Sequence, residues 1–209
     1  MIEKFEKLEP EKQEDIRKAA LEIFADKGFQ DASTNKIVEQ AGISKGTLFY
    51  YFKNKKGLFY YLIDYSLEII TKEYIEKIDY STTDFIQRLS NNSKIKYRYY
   101  QLYPEVNAFL TTVLFSEINT LSTEYQEKFN RLIAETSEKM TENIEVQEEL
   151  FKDDVNPKEA AKIIEFSIAG YFSQLTEQFN SAETNRNEID YLWKEFENYL
   201  KTLRAVFYK

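Results

Sequence analysis

Lysines, tyrosines and hydroxyl side chains are concentrated between Ser33 and Lys56, and this chemistry suits contact with a polyanion. Apolar residues recur there at helical spacing, and Gly42 separates two short segments. Glycine suits a tight turn between helices because it takes positive φ without strain at Cβ. Ser44 can then accept a hydrogen bond from a free N–H of the second helix. This spacing predicts a helix-turn-helix, whose second helix is the element that enters a DNA major groove.

The second predicted helix turns Leu48 and Phe52 inward and leaves a polar, aromatic face outside. The residues of this outer face are Lys45, Gly46, Thr47, Tyr50 and Tyr51. Lysine and hydroxyl groups suit phosphate oxygens, and ring edges reach thymine methyls or base edges. Gly46 lets the backbone come close to another surface. The face therefore predicts DNA contact rather than simple solvation.

Three more lysines, Lys53, Lys55 and Lys56, surround Asn54, which is a predicted N-cap for the next helix. A helix N-terminus favours anions by about 0.3–1 kcal/mol per charge, so cations there oppose the helix dipole. The flanking sequence offers no cluster of acids that would balance them. A DNA phosphate would fit, and the alternative is that the lysines are simply hydrated.

The charge of the chain is unevenly distributed. The net charge is −8, yet Thr34 to Tyr60 contains five lysines and one acid, Glu39, which gives +4 and leaves −12 for the remainder. An acidic body repels the DNA polyanion everywhere except at such a patch. This distribution favours specific, salt-sensitive docking and argues against a non-specific nucleic-acid binder.

The composition excludes several classes of catalytic and metal site. The 209 residues include no cysteine and no histidine, so disulfides, zinc-thiolate sites and imidazole-based catalytic pairs are excluded. No glycine-rich phosphate loop or convergent carboxylate pair recommends an enzyme, and we expect no catalytic residue, cofactor or metal. No apolar run approaches the roughly 20 residues of a membrane span. The amino terminus lacks the apolar stretch of a signal peptide, so we expect a cytoplasmic location.

The apolar periodicity is helical throughout and predicts an all-α fold. One amphipathic helix runs from Pro10 to Gly28, and a long helix runs from Lys55 to about Asp79. Further helices are predicted at about 83–100, 104–115, 123–144 and 157–179, followed by a last helix over 189–207. The final two carry wide apolar faces, which suit a four-helix bundle across a two-fold axis. The alternative is that one subunit buries both faces internally.

The stretch from about Ile16 to Phe59 resembles the tetracycline-repressor-like (TetR) bacterial transcription regulators. The resemblance rests on AALEIFADKGF, on T-x-x-I-V-x-x-A-G-I-S-K-G-T-L-F-Y-Y-F and on K-N-K, and it covers about a quarter of the chain. It implies an N-terminal three-helix DNA-binding domain, residues 1–54, and a larger helical effector-binding and dimerisation domain, residues 55–209. It also implies a homodimer formed through the last two helices, which would read a palindromic operator.

The resemblance also implies which residues contact DNA. Carried over position by position, they are Thr34, Asn35, Lys45, Gly46, Thr47, Phe49, Tyr50, Tyr51 and Lys55. The family commonly has tyrosine where this chain has Phe49, so a phosphate hydrogen bond from that hydroxyl is missing. The additional Lys56 is expected to offset the loss.

An effector site is expected on the body. Seven aromatic residues lie on segments that line the effector pocket in similar proteins: Tyr97, Tyr100, Tyr103, Phe109, Phe115, Phe166 and Phe172. The alternative is that these rings are ordinary core. The acidic balance of the chain favours a lipophilic or cationic small molecule. Together these features predict a repressor whose dimer releases its operator when a small lipophilic ligand binds. The alternative is a helical adaptor that keeps the helix-turn-helix shape without sequence-specific DNA binding.

Overall fold

The computed structural model describes residues 2–141, 147–179 and 186–209, and within them the chain is almost entirely helical. The all-α prediction is confirmed: the only extended pairing among these residues is an isolated bridge between Phe151 and Tyr208. The chain divides into two compact units. The first comprises Met1–Glu76 and Leu102–Ala134, and the second comprises Lys77–Gln101 and Glu135–Lys209.

The first unit contains the helix-turn-helix and the helices that support it. Its α-helices are α1 (Ile2–Phe5), α2 (Pro10–Asp31), α3 (Thr34–Gln40), α4 (Lys45–Phe52), α5 (Lys55–Glu73) and α7 (Pro104–Thr112). A π-helical turn, Val113–Glu117, and a 3-10 turn, Ile118–Thr120, follow α7 and lead to α8 (Thr123–Thr141). The second segment of this unit begins at Leu102, the last residue of α6 (Phe85–Leu102), and ends at Ala134 within α8.

A core of aromatic and branched side chains holds the first unit together. The rings of Phe24, Phe59 and Phe109 form a cluster, in which the Phe24 centroid lies 5.0 Å from that of Phe59 and 6.3 Å from that of Phe109. Ile37 of α3 and Leu48 of α4 are both fully buried in the same cluster. Helices α3 and α4 are only 7 and 8 residues long, so tertiary burial rather than intrinsic propensity keeps them helical.

The second unit is built from most of α6 (Phe85–Leu102), together with α9 (Pro157–Phe179) and α10 (Arg186–Phe207). Its buried cluster joins Phe85 and Ile86 of α6 to Ile164 of α9 and to Phe196 and Leu200 of α10. A 3-10 turn, Glu148–Leu150, precedes α9. The buried residues of α9 fall on one side of the helix, as the i, i+4, i+8 spacing of Ala160, Ile164 and Ile168 requires.

Several boundaries differ from the sequence prediction. The first long helix extends to Asp31, although Gly28 interrupts it with φ 67° and ψ −178°. The helix from Lys55 ends at Glu73 rather than near Asp79, and a 3-10 turn over Ile75–Lys77 follows. The domain boundary predicted at 54/55 falls inside the first compact unit, because α5 belongs to that unit. The functional division into 1–54 and 55–209 remains a prediction.

Candidate nucleic-acid interface

The turn between α3 and α4 has the geometry that the sequence predicts. Gly42 has φ 63°, and the N–H of Ile43 donates to the carbonyl oxygen of Val38 at 3.0 Å. Ser44 caps α4 by accepting a hydrogen bond at its Oγ from the N–H of Thr47 at 3.0 Å. These contacts fix the angle at which α4 leaves the turn, so its outer face is presented by a rigid joint.

We call Lys45, Gly46, Thr47 and Tyr50 the recognition face of α4. Leu48 and Phe52 point inward as predicted, while Lys45 and Gly46 are exposed and Tyr50 is 54% exposed. A Cβ at Gly46 would meet only Ser44 Oγ, at an ordinary 3.7 Å, so no internal contact requires glycine there. The open surface above Gly46 is therefore accessible to a partner.

Tyr51 and Phe49, like Thr47 of the recognition face, are only partly exposed. Tyr51, which we expected to face outward, is half-buried with its ring 5.8 Å from that of Phe5. Phe49 is also half-buried, and the Lys45 ammonium lies 5.9 Å from its ring centroid. The outward orientation predicted for Tyr51 is wrong because α1 covers this side of α4. Whether Tyr51 and Phe49 contact DNA remains a prediction.

The first turn of α3 contributes the other predicted contacts. Ser33 caps the helix, with the N–H of Lys36 donating to its Oγ at 3.4 Å. Asn35 is exposed and Thr34 is half-buried. Both side chains therefore stand at the capped start of the helix that precedes the turn, where a DNA contact remains a prediction.

Lys55 has internal partners that the sequence did not reveal. Its ammonium donates to the carbonyl oxygens of Gln30 at 2.9 Å and Ala32 at 2.8 Å, and it lies 5.0 Å from the Phe29 ring centroid. These partners differ from both expectations, a DNA phosphate and simple hydration, because the carbonyls at the end of α2 carry partial negative charge. One N–H of the ammonium is left for a phosphate.

Lys53 and Lys56 flank the same helix start and are both exposed. Asn54 caps α5 as predicted, accepting at Oδ1 from the N–H of Gly57 at 2.8 Å. Lys53 has φ 66°, in the left-handed region that non-glycine residues seldom adopt. The Lys56 ammonium lies 5.6 Å from the Tyr60 ring centroid, which leaves its charge facing solvent.

One residue of this surface was missed by the sequence reasoning. Lys4 of α1 donates from Nζ to the Tyr50 hydroxyl at 2.8 Å, and its ammonium lies 4.7 Å from the Tyr50 ring centroid. The signal for this contact was the spacing of Ile2, Phe5 and Leu8, which indicates a helical turn with one apolar side. The segment Ile2–Phe5 is a helical turn that packs against α4 and contributes to its surface.

The residues predicted to line an effector site are divided between the two compact units. In the first unit, Tyr103 is half-buried, Phe109 is fully buried in the core and Phe115 is 74% exposed. In the second unit, Tyr97 stacks on Trp193 at 5.0 Å, burial raises the pKa of Tyr100 to about 12, and Phe166 is 77% exposed. The Phe172 side chain lies outside the described residues. The ligand-binding set remains a prediction.

A groove of about 430 Å³ lies between α2 and α3 in the first unit. Its lining is mostly charged or polar and includes Asp26, Asp31, Lys36 and Glu39. Within the ranges described, no group of three or more acidic residues could hold a metal ion. None of the described helices is both long and apolar enough to cross a membrane.

Comparison with known proteins finds similarity over the part of the chain that contains the helix-turn-helix. Residues 16–62 match the family described as bacterial regulatory proteins, tetR family. An HTH-type transcriptional regulator of Staphylococcus aureus strain USA300 is 29% identical over 89 residues, which are 42% of this chain and 48% of that protein. The chain thus spans about half the length of the curated relatives that it matches.

Two crystal structures resemble the whole fold. A TetR family transcriptional regulator from Chloroflexus aurantiacus J-10-FL has a TM-score of 0.61 at 20% identity and covers 99% of this chain and 98% of its own. The regulator FadR from Bacillus subtilis, in complex with stearoyl-CoA, has a TM-score of 0.52 at 20% identity, with 91% and 97% covered. At these identities the likeness concerns the fold.

Proposed function

We propose that this chain is a DNA-binding transcriptional repressor, because residues 16–62 match the family described as bacterial regulatory proteins, tetR family. The observation that carries the proposal is the recognition face of α4. It combines a cation, a hydroxyl, an exposed phenol and an open glycine on a helix fixed at both ends by side-chain and backbone hydrogen bonds. A solvated surface requires none of this preorganisation.

The dimensions of α4 suit a major groove. An α-helix with its side chains is about 10–12 Å in diameter, and a B-DNA major groove is about 12 Å wide, so the 8-residue α4 fits into the groove. In the proposed complex, Lys45 and Thr47 contact phosphates, and Tyr50 reaches a phosphate or a base edge. The first turn of α3 and Lys56 supply further backbone contacts. Phosphate contacts position the helix, while base contacts select the operator.

A homodimer through the last two helices is the second part of the proposal. Ile163 and Phe166 of α9 are 51% and 77% exposed, and Gly170 continues the same side of the helix at i+7 from Ile163. The opposite side of α9 is already buried in its own unit. Two large exposed apolar side chains on one stripe support a second subunit as their cover. A two-fold dimer would place two α4 helices in successive major grooves of a palindromic operator, about 34–36 Å apart.

Ligand-controlled release is the third part, and contacts inside the first unit support it. Thr112 Oγ1 of α7 donates to the Ala25 carbonyl oxygen at 2.8 Å. Glu117 Oε1 accepts from the N–H of Phe29 at 3.0 Å, beside the break at Gly28. Helix α2 packs on α3, so a shift of α7 would reorient the helix-turn-helix. A ligand that favours the shifted state weakens operator binding by its differential affinity for the two states.

A lipophilic effector is the finer expectation. Aromatic side chains make up 16% of the chain, which supplies apolar lining for such a ligand. The B. subtilis FadR of similar fold is described in complex with stearoyl-CoA, so a long acyl chain is a reasonable first probe. The effector class remains open to a direct binding test.

Fluorescence anisotropy tests the whole proposal. Labelled duplexes tiled across the DNA upstream of the coding sequence would be titrated with the chain at several salt concentrations. We expect sequence-selective binding that weakens steeply with salt, and release of the duplex on addition of an acyl-CoA or a related lipophile. Absence of selective, salt-sensitive binding would contradict the repressor function and favour the adaptor. Binding that no lipophile reverses would contradict only the release mechanism.

A further inference from the structure

We propose that Lys4 of α1 belongs to the DNA-contacting surface and binds one backbone phosphate together with Tyr50. The inference rests on the proposed function and extends it to a residue outside the helix-turn-helix. Its starting observation is the 2.8 Å hydrogen bond from Lys4 Nζ to the Tyr50 hydroxyl, with the ammonium 4.7 Å from the ring centroid.

Lys4 is carried by an anchored helix rather than by a free arm. Phe5, the next residue, is fully buried, with ring centroids 5.8 Å from Tyr51, 4.8 Å from Phe52 and 5.3 Å from Tyr61. Burial of a phenylalanine side chain stabilises the packing of the segment that carries it. Because Phe5 fixes α1 against α4 and α5, its neighbour Lys4 is held beside the recognition face.

Polar contacts hold the rest of the segment in place. The Tyr61 hydroxyl donates to Glu6 Oε1 at 2.9 Å. Gln13 Nε2 donates to the carbonyl oxygens of Glu6 at 3.2 Å and Leu8 at 2.9 Å. Gln13 is itself buried, so these bonds are shielded from water. The segment from Phe5 to Leu8, which directly follows Lys4, is thereby fixed.

The charge and hydrogen bonding of the pair fit a phosphate. Lys4 is exposed, and among the described residues no carboxylate forms an ion pair with it. The Tyr50 oxygen accepts from Lys4, so the phenol O–H is directed away from the ammonium. Two ammonium N–H bonds and one phenol O–H are then available to the oxygens of one phosphate. The missing hydroxyl at Phe49 is compensated from α1.

The test compares salt dependence in single variants of the full chain. A lysine–phosphate contact contributes about 0.9 to the slope of log K against log salt, or about fivefold in affinity at about 0.15 M salt. For Lys4→Gln we expect DNA affinity to fall by this factor in each subunit. The loss should be equal for every DNA sequence bound, and the midpoint of thermal unfolding should not change. Lys12→Gln, an exposed lysine at the start of α2, removes the same charge from the same unit and is the matched control.

Tyr50→Phe then tests the shared phosphate. If Lys4 and Tyr50 bind one phosphate, the losses in Lys4→Gln and Tyr50→Phe are not independent, and the double variant loses less than their product. The inference is overturned if Lys4→Gln and Lys12→Gln reduce DNA affinity equally, or if Lys4→Gln binds DNA like the wild-type chain. In either case, selective DNA binding by the wild-type chain still supports the proposed function. Failure of the wild-type chain to bind any duplex selectively would instead overturn the proposed function.

Discussion

Two helices of this protein present unusual side chains to solvent, and they do so with opposite chemistry. The recognition face of α4 is cationic and hydroxyl-bearing, with Tyr50 54% exposed. The exposed stripe of α9 is apolar, with Phe166 77% exposed. Each helix buries its other side in the core of its own unit. Fold stability therefore explains the inner sides but neither of the outer ones.

The difference indicates two kinds of partner. A cationic face gains little from association with a similar face, because like charges repel, but it gains from a polyanion. An apolar stripe gains from another apolar surface, whatever its sequence, because burial removes it from water. We therefore expect α4 to determine what DNA is bound and α9 to determine how many subunits bind it.

The strongest way to break this comparison is to place a charge on the apolar stripe. We expect Phe166→Asp to dissociate the dimer and to reduce operator affinity by about 100- to 10,000-fold, because the two half-sites are then no longer bound together. Sedimentation velocity would report a mass falling from two chains to one. Phe115→Asp, at a phenylalanine that is 74% exposed in the first unit, is the matched control. A dimeric Phe166→Asp protein would contradict the assignment of α9.

The second largest effect is expected on the cationic face. Lys45→Ala and Tyr50→Ala should each reduce operator affinity by about tenfold or more, since each removes a phosphate or base contact worth about 1–3 kcal/mol. Thermal unfolding should be almost unchanged, because substitutions of exposed residues shift stability by about 0.5 kcal/mol or less. Tyr80→Ala, at an exposed tyrosine of the second unit, is the control. Unchanged DNA affinity would favour the adaptor.

A third, smaller effect distinguishes lysines that fold the protein from lysines that bind DNA. Lys55→Met removes two hydrogen bonds to the carbonyls at the end of α2, and we expect the free energy of unfolding to fall by about 1–3 kcal/mol. Lys56→Met, at the adjacent exposed position, should leave stability unchanged and weaken only DNA binding. Urea denaturation measures the first property and anisotropy the second. Equal stability of the two variants would contradict the internal role of Lys55.

The smallest effect concerns the hydroxyl of Tyr208, a buried residue of the second unit. Burial raises the pKa of Tyr208 to about 12, with Asp84 acting in the same direction and the Ile86 N–H opposing it. Because the folded pKa exceeds the ordinary value near 10, the contribution of this group to stability is complete below about pH 10. It is lost as the pH rises toward 12. The urea concentration at the unfolding midpoint should therefore fall as the pH is raised from 8 to 11. It should fall less steeply in Tyr208→Phe.

The helix-turn-helix itself could be predicted from sequence because its determinants are local. Gly42 has the positive φ expected of it, Ser44 and Asn54 cap the helices that follow them, and Leu48 and Phe52 point inward. Each of these features depends on residues within a few positions along the chain. Periodicity and capping rules act over that range, so the prediction was sound there.

The remainder of the site depended on contacts between distant residues. Lys55 pairs with carbonyls about 25 positions earlier, and Lys4 meets Tyr50 across 46 positions. Glu117 reaches Phe29 across 88 positions. A rule based on local spacing cannot anticipate such pairs, which explains why Tyr51 was expected outside and why Lys55 was expected to lack an internal partner.

The buried ring of Phe5 has a consequence for anyone who wishes to exchange operator specificities between related regulators. It fills a space bounded by Tyr51, Phe52 and Tyr61, yet it precedes the stretch that matches the family, residues 16–62. A hybrid that takes only residues 16–62 from this chain would lack Phe5, and a cavity would remain behind α4. A segment exchanged to transfer DNA-binding specificity should therefore begin at Ile2 and include the first eight residues of the chain.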